Sequence, residues 1–448
     1  MASIIPIIKP NLLTTFSVAI LLCFNVVAQT TPIPDVSFEQ ALIDYNIDTN
    51  GLNGNILNTD AESVITLNIF SKNITDLSGI EAFVNLKYLY SYYNNIANLD
   101  LQYNLELEVL DIENNSLTDL NVSQNLNLKE LYVSNNQLDV LDVSNNLDLV
   151  VLSCNLNNIC ELDVTNNIDL AVLWCYSNIL TDLNLEENIL LESLFCGDND
   201  LDSLDISNNT LLETISCGQN NITSFTVDNC LDLTYLDVSG NMLNELDITS
   251  NTSMRRLLCN NNSIQELDLS HAPELLLFYA SFNNLRDIDL TNNNELKYVR
   301  LASNELESID FRNGNNSDIS DFNTLNNPAL TCIYVDDSSA SFLSDWDIDS
   351  SSNFVTDESA CNALSVTDTL EEIMTFEIYP NPVVDYLNIK TIESKSKLVV
   401  YDTNGKTLLN KELITGLNSI DLSNYSSGMY LFKISSVNQT ISKKIIIQ

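Results

Sequence analysis

A period of 21 residues runs through the middle of this chain without a slip. Leu86, Leu107, Leu128, Leu149, Leu170, Leu191, Leu212, Leu233, Met254, Leu275 and Leu296 open eleven consecutive units of the pattern LxxLxVxxNxLxxLDVxxNxx. One such unit holds too little apolar surface to close a core of its own, so units of this kind fold only as a stack. Positions 1, 4, 6, 11, 14 and 16 of the unit are almost always Leu, Ile, Val or Cys. The alternation at positions 4 and 6 has the period of a strand. Each unit therefore contributes one short strand to a long parallel sheet, and strands ~4.8 Å apart make eleven units roughly 50 Å long.

Position 9 is Asn in every unit: Asn94, Asn115, Asn136, Asn157, Asn178, Asn199, Asn220, Asn241, Asn262, Asn283 and Asn304. A coil that turns inward there buries backbone N–H and C=O groups that no strand ladder satisfies. A carboxamide carries donors and an acceptor, and so serves its own coil and the next. Losing such a buried pairing costs about 1–3 kcal/mol. Position 19 is a second Asn column that departs at Cys230, Ala272 and Gly314, where local irregularities of the coil are expected.

This pattern resembles the leucine-rich-repeat superfamily, in its bacterial irregular class of 21-residue units with two similar halves nested in each. The resemblance covers about residues 64–335 and implies a leucine-rich-repeat solenoid of parallel β-structure. Open solenoid ends expose strand edges and need caps. Residues 29–63 are expected to form the N-terminal cap, with Phe38, Ala41, Leu42 and Tyr45 on one helical face. Repeats then run over 64–321, beginning with a degenerate coil that has Lys72 where Asn is expected. A C-terminal cap follows over 322–361, with Trp346 as its lid. Cys332 and Cys361 are candidates for a disulfide in an oxidising exterior.

Beyond a linker at 362–375 the composition changes. The whole chain carries 62 acidic and 18 basic residues, a formal net charge of −44. Six of those acids and eight of those bases lie from Glu377 onward, leaving 56 and 10 upstream. Such an acidic body excludes nucleic-acid partners, whose phosphates need neutralising cations. Residues 376–448 read as short β-runs at 387–390, 397–401, 429–435 and 441–447, divided by Asn381-Pro382, Asn404-Gly405 and Ser427-Gly428, which predicts a small antiparallel β-sandwich. The motifs Tyr379-Pro380-Asn381-Pro382, Tyr401-Asp402-Thr403-Asn404-Gly405-Lys406, Ser427-Gly428-Met429-Tyr430 and Lys443-Lys444-Ile445-Ile446-Ile447 resemble the type A C-terminal sorting domain of the Bacteroidota type IX secretion system. The resemblance implies that this domain engages the secretion machinery. At the other end, Lys9 precedes an apolar run from Leu12 to Val27, and Val26-Val27-Ala28 suits signal-peptide cleavage after residue 28. The mature chain then has no transmembrane segment, and its destination is the medium or the outer cell surface.

No catalytic constellation stands out. The one histidine is His271, and no glycine spacing suits a phosphate loop. Cys154, Cys175, Cys196, Cys217 and Cys259 share position 6 with Val133 and Val238, so that column reads as small apolar packing rather than as metal ligands. Asp100, Asp142, Asp163, Asp205, Asp247, Asp268, Asp289 and Asp310 share position 15 and read as solvated turn residues. Calcium relieving their repulsion is the alternative, and Asp48-Thr49-Asn50-Gly51 is faintly similar to a calcium loop without its required spacing. Otherwise the sequence calls for no cofactor.

Positions 3, 5 and 7 face outward from the strands, on the broad concave side that repeat scaffolds use for binding. Tyr132, Trp174 and Phe195 at position 5, with Tyr176 at position 7, form the leading candidate site. Tyr88, Tyr90 and Tyr92 form a second group, and Tyr279 with Tyr298 near Phe282 a third. Exposed aromatics on a rigid sheet suit protein anchors or sugar stacking. The expectation is a non-enzymatic binding module for protein–protein interaction or adhesion. A glycan-binding surface protein and a structural envelope component are the alternatives.

Overall fold

The computed structural model describes residues 29–364, 376–391, 395–403, 405–436 and 440–448. The expected signal peptide and most of the linker lie outside the described residues. Thirteen three-residue strands, from Thr66–Asn68 to Asp321–Asn323, form one parallel sheet. Equivalent residues of successive units pair directly: Leu131 with Leu152, Leu152 with Leu173, and Leu173 with Leu194. Those central leucines are fully buried, as are Leu128, Leu149 and Leu170 at position 1. One continuous core therefore runs the length of the stack. On the opposite half-coil, four strands (Asp287–Asp289, Ser308–Asp310, Cys332–Tyr334 and Asn353–Val355) make a second parallel sheet near the C-terminal end.

The two Asn columns stitch the coils together in different ways. At position 9 the carboxamide oxygen accepts a backbone N–H of the preceding coil, while Nδ2 donates to carbonyls of both coils. Asn157 accepts from Leu138 N at 3.0 Å and donates to Val133 O at 3.1 Å and Cys154 O at 3.0 Å. All eleven predicted asparagines accept and donate in this way, reaching back to the preceding coil rather than forward. At position 19 only the donors are used. Asn167 Nδ2 donates to Val143 O at 3.1 Å and Asn146 O at 2.8 Å, while its buried Oδ1 has no hydrogen-bond partner.

The position-19 departures correct one expectation. The coil stays regular at Cys230 and Ala272, whose N–H groups make the same turn bonds as Asn does elsewhere. Only near Gly314 does it change. There Asn313 donates to Asn293 O, and the next strand is offset by 23 residues, pairing Tyr298 with Asp321. That insertion hid a twelfth ladder residue, Asn327, which accepts from Leu306 N and donates to Leu301 O and Thr324 O.

A second feature had no signature in the sequence. The residue before each ladder Asn adopts a left-handed backbone, with φ between 53° and 68° at Tyr93, Asn114, Asn135, Leu156, Ser177, Asp198, Gln219, Gly240, Asn261, Phe282, Ser303 and Asn326. Ordinary side chains pay roughly 1–2 kcal/mol for that conformation. The bond network of the following Asn holds it in place.

At the N-terminal end the helix Val36–Asp44 buries Phe38, Ala41 and Leu42 against the first coils. Asp35 caps it through Oδ1, accepting from Ser37 N and Phe38 N, and ties it to the stack through Oδ2, accepting from Thr75 N. Tyr45, expected on the same buried face, is instead the exposed C-cap, with the Lys72 ammonium 5.1 Å from its ring centroid. At the far end Trp346 is buried and stacks on Phe322 with centroids 4.1 Å apart, beside Phe311 at 5.7 Å. A disulfide joins Cys332, in the last full strand pair, to Cys361 in the helix Glu358–Leu364.

The C-terminal domain is built from two antiparallel sheets. One holds Phe376–Tyr379, Tyr386–Thr391 and Gly416–Asp421; the other holds Thr407–Leu413, Ser396–Tyr401, Gly428–Ser435 and Thr440–Ile447. Leu387, Ile389, Leu398, Val400, Phe432 and Ile434 are completely buried between them. The three strands unforeseen in the sequence, 376–379, 407–413 and 416–421, lie at sheet edges.

Candidate functional site

Strand pairing decides which exposed aromatics meet. Trp174 is directly opposite Phe195, and their rings meet edge to face with centroids 6.0 Å apart. Phe195 in turn stacks with Tyr235 at 6.4 Å across two strands, since Tyr235 stands at position 3 of its unit rather than position 5. Trp174, Phe195 and Tyr176 line one cavity of about 500 Å³. Tyr132 is not among its lining residues. Ser153 lies between Tyr132 and Trp174 in the register, and the Tyr132 hydroxyl donates to Glu130 at 3.0 Å.

The floor of this cavity escaped the sequence reading. Position 7 is glycine in two consecutive units, Gly197 and Gly218. A Cβ on Gly197 would sit 2.8 Å from Gly218 O, and one on Gly218 2.9 Å from Ser239 O. The coils approach so closely here that only bare backbone fits, and the strip it leaves is what opens the cavity beside the aromatic wall. Asp237, on the same floor, is half-buried and accepts from Ser239 N at 2.9 Å. Burial pushes its carboxyl above the usual range, and it has no basic partner among the described residues. Asp198 adds a second, exposed carboxylate at the rim.

The other aromatic groups have different settings. Tyr90 and Tyr92 line a cavity of about 440 Å³ with Tyr93, Asp111 and Glu113. Tyr92 stacks on Phe70 at 4.9 Å, and burial lifts the Asp111 carboxyl to about 6. At the C-terminal end the tail domain covers the face. Lys444 Nζ donates to Asn283 O at 3.3 Å and lies 5.9 Å from the Phe282 ring centroid, while Ser442 hydrogen-bonds Asn326. Burial pushes the Lys444 ammonium down to about 8. Tyr279 packs under Arg300, whose guanidinium carbon is 4.8 Å from the ring centroid.

Cys154, Cys175, Cys196, Cys217 and Cys259 are all inaccessible, and burial raises every one of these thiols. The column packs the core beside the sheet as small apolar groups. Each position-15 Asp accepts the backbone N–H two residues on, as Asp142 does from Ser144 N at 2.9 Å and Asp163 from Thr165 N at 3.0 Å. Those turn bonds, with the neighbouring hydroxyls, hold the carboxyls of Asp142, Asp163, Asp205, Asp247 and Asp268 below the usual range. His271 Nδ1 lies 3.0 Å from Ser270 Oγ and 4.0 Å from Asp268. Both neighbours approach the same ring nitrogen, so this exposed turn lacks the relay in which a base and its orienting carboxylate use opposite nitrogens. In the N-terminal loop, the buried Glu39 carboxylate accepts from Asn53 N, Gly54 N and Asn55 N, which organises the segment after Asp48. Among the described residues no helix is long and apolar enough to cross a membrane.

Comparisons with known proteins divide the chain at the same point as its charge. Residues 377–448 match the family model of the secretion system C-terminal sorting domain, which implies that the chain is secreted or displayed at the cell surface. No curated protein matches the chain. Among solved structures, it is similar to the functional domain of InlJ from Listeria monocytogenes, described as including a cysteine ladder. The TM-score is 0.63 at 23% identity over 94% of this chain and 99% of that one. An internalin, InlF, from the same organism matches with a TM-score of 0.53 at 20% identity, over 63% of this chain and 94% of that one. The Leptospira interrogans leucine-rich-repeat protein LIC12759 matches with a TM-score of 0.51 at 16% identity, over 70% and 97%. The chain is thus a leucine-rich-repeat solenoid that ends in a type IX secretion sorting domain.

Proposed function

We propose that the solenoid is an exported protein-binding module, acting in interaction or adhesion at the outer cell surface or in the medium, with the Trp174 cavity as its anchor point. The observation that carries this reading is the aromatic wall of Trp174, Tyr176 and Phe195 standing over the bare Gly197–Gly218 strip. The two glycines let the coils approach and at the same time leave the floor beside the three rings clear of side chains. Aromatic anchors beside a recess are where binding energy concentrates in protein interfaces. The leucine-rich-repeat fold supports the class of function without choosing the partner. Export begins, on this reading, with cleavage after residue 28, and the tail domain engages the secretion machinery.

A pull-down of proteins and polysaccharides from the surroundings of the producing cells tests this, with wild type beside Trp174→Ala/Phe195→Ala. A partner held by wild type and lost by the double variant supports the module and locates its face. Equal capture by both, or capture by neither with folding verified by circular dichroism, removes the anchor reading. Capture of a neutral polysaccharide alone would favour a carbohydrate-binding protein.

A further inference from the structure

We infer that the Trp174 cavity takes a cationic side chain, an arginine or lysine presented by a basic polypeptide segment of the partner. This deepens the proposed binding function and rests on it. Three observations converge. The rings form a corner rather than a platform: Trp174 and Phe195 meet at 76°, while Phe195 and Tyr235 are near parallel at 23°. A pyranose stacks best on a flat, open ring face. A corner of ring faces instead surrounds a compact cation, which each ring quadrupole attracts. Second, the floor offers anions. Asp237 lies on the glycine strip, half-buried and without a basic partner among the described residues, and Asp198 stands at the rim. A desolvated carboxylate without a counter-ion is costly, and an incoming ammonium or guanidinium removes that cost. Third, the charge of the body is complementary to such a partner. Upstream of the tail there are 56 acids and 10 bases, so the field draws in a polycation from a distance.

The bare strip between Gly197 and Gly218 matters for this fit. It lets an extended basic segment lie against bare backbone while one side chain turns into the corner. Arg256, paired with Tyr235 in the next strand, marks the limit of the acidic floor on one side. The segment therefore approaches from the Trp174 side.

The test is a titration of the full chain with hexa-arginine, followed by tryptophan fluorescence. Trp174 is the exposed indole of the pair, since Trp346 is buried. Hexa-citrulline serves as a neutral probe of the same shape, and maltohexaose and cellohexaose as glycan probes. Asp237→Asn keeps the shape of the floor and removes its charge; Phe195→Ala removes one wall of the corner and leaves the Trp174 reporter in place. The expected result is saturable quenching by hexa-arginine, weakened roughly tenfold in each variant, with no response to hexa-citrulline. Equal hexa-arginine affinity in wild type and both variants would mean attraction to the general surface charge, and would overturn the inference. Quenching by hexa-citrulline or a glycan that Phe195→Ala abolishes would also overturn it while leaving the cavity a binding site. No probe quenching Trp174, together with capture from the pull-down that the double variant leaves intact, would sink both readings.

Discussion

The two Asn columns look alike in the sequence, yet the structure assigns them unequal weight, and one pair of substitutions measures the difference. In Asn157→Ala the three carbonyls that lose a donor keep another: Val133 O still accepts from Asn136, Cys154 O from Asn178, and Asn155 O from Asn135 N. Leu138 N has no second acceptor, because Asn157 Oδ1 is its hydrogen-bond partner. The substitution therefore orphans one buried N–H. In Asn167→Ala, Val143 O still accepts from Asn146 N, and Asn146 O from Leu149 N. No group is orphaned, and one unpaired buried oxygen disappears. Both variants lose the same side-chain volume from a fully packed coil, so the cavity cost largely cancels between them. What remains is the orphaned N–H, worth about 1–3 kcal/mol, or about one to two decades in the folding equilibrium constant. Urea unfolding followed by circular dichroism, at unchanged slope, should show the Asn157 variant less stable than the Asn167 variant by that amount. The chain itself supplies a control, since Cys230 and Ala272 already occupy position 19 in regular coils. Equal midpoints for the two variants would refute the argument that the backbone N–H, rather than side-chain volume, sets the strictness of position 9.

Four further outcomes follow from the same geometry. With native protein, Ellman's reagent should label Cys160, the exposed free thiol among the described residues, and leave Cys154, Cys175, Cys196, Cys217, Cys230 and Cys259 unreacted until denaturant is added; prompt labelling of several of these six would mean that the column opens. Replacing Leu156, half-exposed at φ 57°, with Asn should raise the free energy of urea unfolding by up to about 1 kcal/mol, because Asn tolerates the left-handed region better. Burial raises the Asp111 carboxyl to about 6, so its ionisation opposes folding as pH rises from the ordinary carboxylate range through 6. Asp111→Asn should accordingly raise the melting temperature at pH 7.5 and much less at pH 4. The buried Lys444 ammonium is lowered to about 8, so docking of the tail releases a proton between pH 8 and the ordinary lysine value and strengthens as pH rises through that window. Small-angle scattering of the full chain should show a more compact particle at pH 9.5 than at pH 7, and Lys444→Met should remove that difference.

How much of this was legible follows from what repetition can and cannot encode. A side chain that must meet its own equivalent in the next coil writes itself into the sequence once per unit. That is why the apolar columns, the ladder asparagines and the cysteine stack could be read before any coordinates. Reading by period fails where the period itself changes. Two extra residues near Gly314 moved Asn327 off its expected place, although it makes the same three bonds as its eleven predecessors. The left-handed residue ahead of each ladder Asn stayed invisible for the opposite reason. Its backbone is fixed by the bonds around it, so Leu156, Tyr93 and Gln219 are held there at a cost alongside Gly240, and no single residue type marks the position.

The candidate site combines both situations. Trp174 and Phe195 could be paired in advance because position 5 is a column, but Tyr132 belonged to that column too, and the intervening Ser153 separates it from them. Column membership gives direction, whereas contact depends on consecutive units. The missing half of the site lay in residues with nothing to show: Gly197 and Gly218 read as merely small until the close approach of their coils made the absence of a Cβ a requirement. Tyr235 entered from a different column, position 3 of its strand, and Asp237 from the aromatics' own position 5, where the column turns acidic. A binding face on a solenoid is by its nature a local break in the repeat. The residues that bind are those that depart from their columns, and the sequence shows the departure more readily than the company it keeps.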